Sequence, residues 1–529
     1  MKEALVPASG PHYYARMSTS NAVGDDIYIV PAPRSRLSGK LTIWAAIGLS
    51  VGLMAPSMAA NINPQGAEPS VGRAIPLAFL VAAVGILLVS YSIARLCQYF
   101  HHAGSVYGFV GATLGVRPGV VAGWGLIGTY MFYAVTTTVA AGIFGTSLLE
   151  TMKIWHNPPS WAPFLLAGAF LVLIGALASA PVRRATGALL GFEGATVALI
   201  LIVSVVVLVR LIGGHAPGGH TFTLSVFSLP KGRGTTALFQ GAVFGFLSFA
   251  GFEASATLGE ETARPRRDIP RAIVGTVLFG GIYFVFVTAI EGMGFGTTGH
   301  DMTTYVGTGS LLGALGQQYV TAWVGDLVTF GTVVSAFSCA LACVVGSSRL
   351  LFSLARDASP GTPLARLTHR WHTPVPAIVT IIAMATVVYL VYAVGFGQNA
   401  LDIFDTSGTI GTLVLLVVYL LATIGAIRLL FFTGAAKVPR WEMVIPIAGV
   451  LVLGYTIYRN VWPYPTGTGK WLPIWAGAWL AAAVVAVVVA PRATRRIGAL
   501  MMSDDGLNTG ASGAGAAVSL DLERERTSV

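Results

Sequence analysis

Charge is what this chain has least of. Of its 529 residues only 10% are Asp, Glu, Lys or Arg, against about a quarter in an ordinary soluble domain. Hydrophobic residues make up 54%, and the mean hydropathy is +0.73. A chain so poor in charge cannot cover a water-facing surface, which excludes a soluble globular protein. Cysteine is nearly absent: Cys97, Cys339 and Cys343 are the whole set, too few for a disulfide framework. Cys339 and Cys343 lie four apart on one helix face and read as small buried hydrophobes rather than metal ligands. No GxxxxGK[ST] loop points to nucleotide-driven work, and no HExxH or similar catalytic pair falls in an apolar run. The short alternating strands of a membrane β-barrel are missing too. The expectation is a non-enzyme with no cofactor and no metal. His215 and His220, in the Gly-rich stretch 213–236, read as a solvated loop.

What the chain does have is long apolar runs. About twelve reach the roughly 20 residues needed to cross a bilayer, near 41–62, 71–96, 119–149, 161–180, 186–212, 237–258, 270–295, 319–352, 374–395, 402–430, 442–460 and 472–490. The net charge of +10 is set by topology rather than by a nucleic-acid partner. With the N-terminus inside, 25 of the 32 Lys and Arg fall on the cytoplasmic side; Arg73, Lys153, Arg210, Lys231, Arg233, Arg459 and Lys470 fall outside. That asymmetry follows the positive-inside rule and places both termini in the cytoplasm. Residues 1–39 and 492–529 read as cytoplasmic tails too polar and Gly-rich to order themselves, flanking one membrane domain over 40–491. No cleavable signal peptide is expected, because the first forty residues are polar.

Two runs carry helix-breaking chemistry in mid-span. The first, LTIWAAIGLSVGLMAPSMAANINPQG, holds Gly48, Ser50, Gly52 and Pro56 close together. Proline removes a backbone donor and clashes with the preceding turn. The sixth, GAVFGFLSFAGFEASATLGEE, has Gly241, Gly245 and Gly251 ahead of a lone acid, Glu253. A carboxylate at membrane depth costs roughly 2.5–3.5 kcal/mol on insertion scales, so a role is expected of it. In two inverted halves of five helices, spans one and six are equivalent, and paired interruptions there point to a transporter's central site.

At these residues the chain resembles the amino acid–polyamine–organocation (APC) superfamily of permeases. FLSFAGFEASATLGEETARPRRDIPRAI is similar to its GFE segment and the Glu-Glu, Arg-Pro tail. GSSRLLFSLARDASPGTPLARL with HTPVPAI, and AGSVYGFVGATLGVRPGVVAGW, resemble two further signatures. The resemblance covers about 40–491. It implies an all-α fold of about twelve transmembrane helices: a LeuT-type 5+5 inverted repeat with helices one and six broken, plus two C-terminal helices. It also implies a secondary active permease for an amino acid or related amine, working by alternating access, with proton coupling as one option. An amino acid/polyamine exchanger and a non-transporting nutrient sensor are the alternatives. One departure stands out: many members carry Gly-x-Gly-Ile-Phe in helix one, and here the stretch is SVGLMAPS, which puts substrate identity in doubt.

Broken helices expose N–H groups at one half-helix start and C=O groups at the other half's end, and the starts favour anions. The expected substrate contacts are Ser50, Val51, Gly52 and Leu53 on helix one, and Phe249, Ala250, Gly251 and Glu253 on helix six, with Phe249 and Phe252 as covers. Glu253 can bind an amine, carry a proton, or lock the unwound segment; the structural or proton role is favoured. Ion coupling, by proton or sodium, falls to Glu253, Ser335 and Ser338, since the fifth span holds no Lys of the kind some family members use. Glu193, Glu291, Asp326, Asp402 and Asp405 are expected near the interfaces. Tyr130, Tyr133, Thr136, Thr137 and Thr138 form a polar stripe that can flank a pathway or join helices. Arg264, Arg266 and Arg267 are read as a gating loop, able to pair with Glu260, Glu261 and lipid headgroups. Partners are then a small-molecule substrate, lipid and a coupling ion, in a bacterial plasma membrane.

Overall fold

The computed structural model describes residues 42–100, 106–180, 183–258, 262, 264–359, 361–368, 373–434, 438–465 and 467–504. The expected tails over 1–39 and 505–529, and Glu260 and Glu261, lie outside these. Every longer regular element among the described residues is helical. In chain order they are α1 (Ile43–Met54), α2 (Pro56–Val71), α3 (Ile75–Tyr99), α4 (Val106–Leu114), α5 (Val116–Thr151) and α6 (Ala162–Ala178). Then come α7 (Arg183–Ile212), α8 (Thr235–Phe249), α9 (Pro265–Phe295), α10 (Gly299–Val306), α11 (Leu311–Tyr319) and α12 (Ala322–Ala358). The last are α13 (Val375–Leu390), α14 (Ala400–Ile427), α15 (Val444–Val461), α16 (Trp471–Val489) and α17 (Pro491–Asp504). Among the described residues, ten stretches are long and apolar enough to cross a membrane, counting Ile43–Tyr99 as one, and α6 is a shorter apolar helix.

The first span breaks at one residue. α1 stops at Met54, Ala55 takes the left-handed conformation (φ 47°, ψ 57°), and Pro56 opens α2. The cause is local: a proline disfavours helical geometry in the residue before it and suits a helix's first position. Gly48 and Gly52, grouped with Pro56 in the sequence pattern, stay inside α1. The sixth span breaks at Gly251 (φ 101°), between α8 and a 3₁₀ segment over Phe252–Leu258.

α5 packs against both α12 and α14, with α2 against α8, and α3 against α8 and α9. α15 and α16 are peripheral; Leu451, Val484, Val488 and Val489 are exposed, the apolar surface a lipid-facing helix carries. Two boundaries differ from the sequence reading. Residues 492–504, placed in a tail, belong to α17, which docks on α5 and α12. Thr494 and Ile497 are buried there, and Arg492, Arg495 and Arg496 stay exposed; this alternation orders a segment whose composition alone looks disordered. Arg266, Arg267 and Arg271 are not in a loop: α9 begins at Pro265, and Arg264 is its N-cap. All four are exposed.

Candidate functional site

The two breaks meet. Gly251 lies so close to Leu53 that a Cβ there would stand 2.9 Å from Leu53 Cγ and 3.1 Å from its carbonyl carbon. Ser50 Oγ of α1 accepts the Ser255 N–H of the 3₁₀ segment at 2.9 Å. One stripe of α12, at four-residue spacing, runs along the same break: Ser335 Oγ accepts the Met58 N–H at 3.2 Å, and the Cys339 thiol donates to Leu53 O at 3.4 Å.

Between these elements lies a small cavity. Both halves of helix one line it through Leu53, Met54, Met58 and Asn63, and the helix-six break adds Leu247, Ala250 and Gly251. α5 contributes Tyr130, Tyr133, Thr136 and Thr137, and α12 contributes Cys339 and Cys343. None of these side chains is charged. Their polar atoms are partly committed: Thr136 and Thr137 donate to Phe132 O and Tyr133 O, and Tyr133 Oη pairs with Thr412 Oγ1 at 3.0 Å. Asn63 Nδ2 donates to Ser248 Oγ at 2.7 Å, while Asn63 Oδ1 has no partner. An apolar wall with a few convergent polar atoms is the usual character of a small-molecule site.

Of the eight expected substrate contacts, Leu53, Ala250 and Gly251 reach the cavity. The others do not. Ser50 is bonded to the 3₁₀ segment, Val51 O accepts the Ala55 N–H, and Gly52 faces Leu190 of α7. Phe249, read as a cover, is fully buried with its ring edge-to-face on Phe284, and Phe252 packs likewise on Tyr419. Glu253 is 4% exposed and turned from the cavity. Its carboxylate accepts the Tyr419 hydroxyl at 2.8 Å and faces the backbone N–H groups of Gly251 and its own residue. Tyr419 is on α14 and the two amides are in the unwound segment, so the carboxylate links the break to α14. Ser338 donates to Val334 O of its own helix.

Several acids of the apolar runs are buried inside the protein. Glu193 and Glu291, expected near the interfaces, are 6% and 0% exposed. Glu193 accepts the Ser57 N–H at the start of α2, at 2.9 Å. Glu291 accepts the Tyr305 hydroxyl at 3.2 Å. Asp405 stands beside Gly66 with Oδ1 unpartnered. Asp402 is exposed in the first turn of α14, and Asp326 is half-buried with the Gln317 side-chain amide donating to it. Helix-capping needs explain the first of these: α2 starts inside the protein, where its free N–H groups find no water. The cavity-lining residues not anticipated are Met54, Met58, Asn63, Leu247, Cys339 and Cys343; Glu193 stands outside the lining, at the start of α2. Glu193 carried the same signal as Glu253, a single acid in an apolar run, and Ser335, Cys339 and Cys343 carried the four-residue spacing of one helix face.

The pattern of the family described as Amino acid permease matches residues 43–490. The branched-chain amino acid permease BcaP of Bacillus subtilis (strain 168) is 27% identical over 310 residues, 57% of this chain and 64% of that protein. The low-affinity putrescine importer PlaP of Escherichia coli (strain K12) is 26% identical over 320 residues, 59% of this chain and 66% of that protein. The matches thus span a little under two thirds of these two relatives. The L-methionine/branched-chain amino acid exporter YjeH of Escherichia coli (strain K12) is 24% identical over 467 residues, 86% of this chain and 93% of that protein.

Proposed function

The chain belongs to the amino acid permease family, and on that premise we propose that it moves a neutral amino acid with an apolar side chain across a membrane by alternating access. The carrying observation is the uncharged cavity between the two breaks. A cationic side chain or a diamine would need a carboxylate at its charged end, because an unpaired buried charge is costly. Glu253, the acid of the helix-six break, already serves Tyr419 and the backbone. Leu53, Met54, Met58, Cys339 and Cys343 offer instead a deformable apolar wall suited to an aliphatic or thioether side chain. Asn63 Oδ1 is a free acceptor for the substrate's ammonium group.

The proposal includes the twelve-span inverted-repeat arrangement, with Ile43–Tyr99 supplying two passes and α6 one, both termini cytoplasmic, in a bacterial plasma membrane. Coupling to a proton or sodium gradient, and a gating role for Arg264, Arg266 and Arg267, belong to it too. Counterflow in proteoliposomes, against leucine, methionine, arginine, lysine and putrescine, tests the reading. Labelled leucine should accumulate against internal leucine or methionine and not against the cations. Exchange of the cations alone would overturn the substrate class. Ligand-dependent thermal stabilisation without flux of any of the five would identify a sensor instead.

A further inference from the structure

A carboxylate sits where the first helix restarts, and it has no counter-ion. Pro56 has no N–H, and the Ala59 N–H returns to Ala55 O at 2.9 Å. The two amides between them leave α2: Ser57 N–H goes to Glu193 of α7, and Met58 N–H to Ser335 of α12. The first turn of α2 is thus closed by the chain's own groups, and the positive end of this half-helix already faces a carboxyl group. A substrate carboxylate cannot take that seat while Glu193 occupies it.

The surroundings of Glu193 are uncharged. From α2 it meets Ser57, through the backbone N–H, and from α12 Ser335. From α9 it meets Tyr283, which stands near Glu291 as well and donates to Pro56 O at 3.4 Å. α1 and α11 also pack on α7 and bring no titratable side chain that acts on the carboxylate. Glu193 is thus a buried carboxyl group without a cation, joined by one amide to the first turn of a broken helix, and its two protonation states hold that turn differently. Ionised, it makes a charge-assisted bond to Ser57 N–H. Protonated, it keeps a neutral contact of about half that strength.

We propose that Glu193 is the proton site that couples a gradient to movement of the first helix, a reading that rests on the transport function proposed above. A proton from water on the open side adds to a Glu193 carboxylate oxygen, forming an O–H bond. The hold on Ser57 N–H weakens, and α2 can part from α7 and α12. When access alternates, the proton leaves to water on the other side and the carboxylate clamps α2 again. One proton crosses per cycle, and no other reactant is needed.

The test uses the full chain in proteoliposomes with Glu193→Gln, whose amide oxygen can still accept from Ser57 but binds no proton. Counterflow, which needs no net proton movement, should persist. Accumulation driven by an imposed pH gradient should fall at least about ten-fold, within the usual range of coupling between two sites. Glu193→Asp should keep gradient-driven accumulation with a displaced pH profile, and it decides the matter if the Gln variant fails to fold. Gradient-driven accumulation at wild-type level in Glu193→Gln would overturn the proposal, as would a wild-type pH profile in Glu193→Asp, or accumulation driven by sodium alone. Absence of counterflow in the wild type would instead count against the transport function.

Discussion

Gly251→Ala is the perturbation whose size the structure fixes best. Gly251 holds φ at 101°, a conformation L-residues rarely adopt, and holding a side-chain-bearing residue there costs about 1–3 kcal/mol. The added methyl would also meet Leu53 at 2.9 Å (Cγ), 3.0 Å (Cβ) and 3.1 Å (carbonyl carbon). Overpacking of that kind costs about 1–3 kcal/mol. Together the two terms come to about 2–6 kcal/mol, and even the lower end changes an equilibrium by roughly 30-fold. The variant should therefore melt earlier in detergent and lose most of its counterflow, because the breaks can no longer close on each other. Leu53→Ala in the same chain removes Cγ and leaves Cβ and the backbone. It should restore part of the crowding term, up to about 1–2 kcal/mol, and none of the backbone strain. If Gly251→Ala melts with the wild type and exchanges substrate at the same rate, the two breaks do not need this close approach, and the site does not lie between them.

Glu253→Gln keeps one acceptor oxygen but removes the charge and puts an NH2 donor in place of the other, so one of the contacts to Tyr419 and the unwound backbone is lost, at about 1.5–3 kcal/mol for a bond to a charged group. It should lower the melting temperature and slow counterflow without changing the pH dependence. Unchanged uptake and pH dependence would exclude both proton carriage and charge pairing for this residue. Replacing Arg264, Arg266 and Arg267 together by Gln should give substrate leak from loaded proteoliposomes if the start of α9 acts as a gate. An effect on the amount of protein in the membrane alone would reduce these residues to topology.

The helical class, the long apolar runs and the two broken spans were legible because each rests on local chemistry: hydropathy over about 20 residues, a proline after Ala55, and a glycine at 251. The exact break in helix one was less so, since three small residues and one proline competed as its cause, and the proline decided it. α17 was hidden because tail composition was weighed and its periodicity was not. The cavity wall was the least legible part. Met54, Met58 and Asn63 look like ordinary helix residues until α5 and α12 are placed beside them, and that placement is tertiary. Phe249 and Glu253 were drawn to the substrate by their proximity in sequence to Gly251. In the fold, one turns to Phe284 and the other to Tyr419. Glu193 shows the opposite error: its apolar context was visible, but nothing local revealed the helix start it caps.

The central claim is that an uncharged cavity between the two breaks holds a neutral amino acid, and its own thiols report on it. Cys339 and Cys343 line the cavity, whereas Cys97 is buried in α3 and can be replaced by alanine. Labelling of the two remaining cysteines by a small membrane-permeant thiol reagent, in proteoliposomes, should slow in proportion to added leucine or methionine and ignore arginine and putrescine. Labelling that no amino acid slows, or that the cations slow instead, would contradict the account.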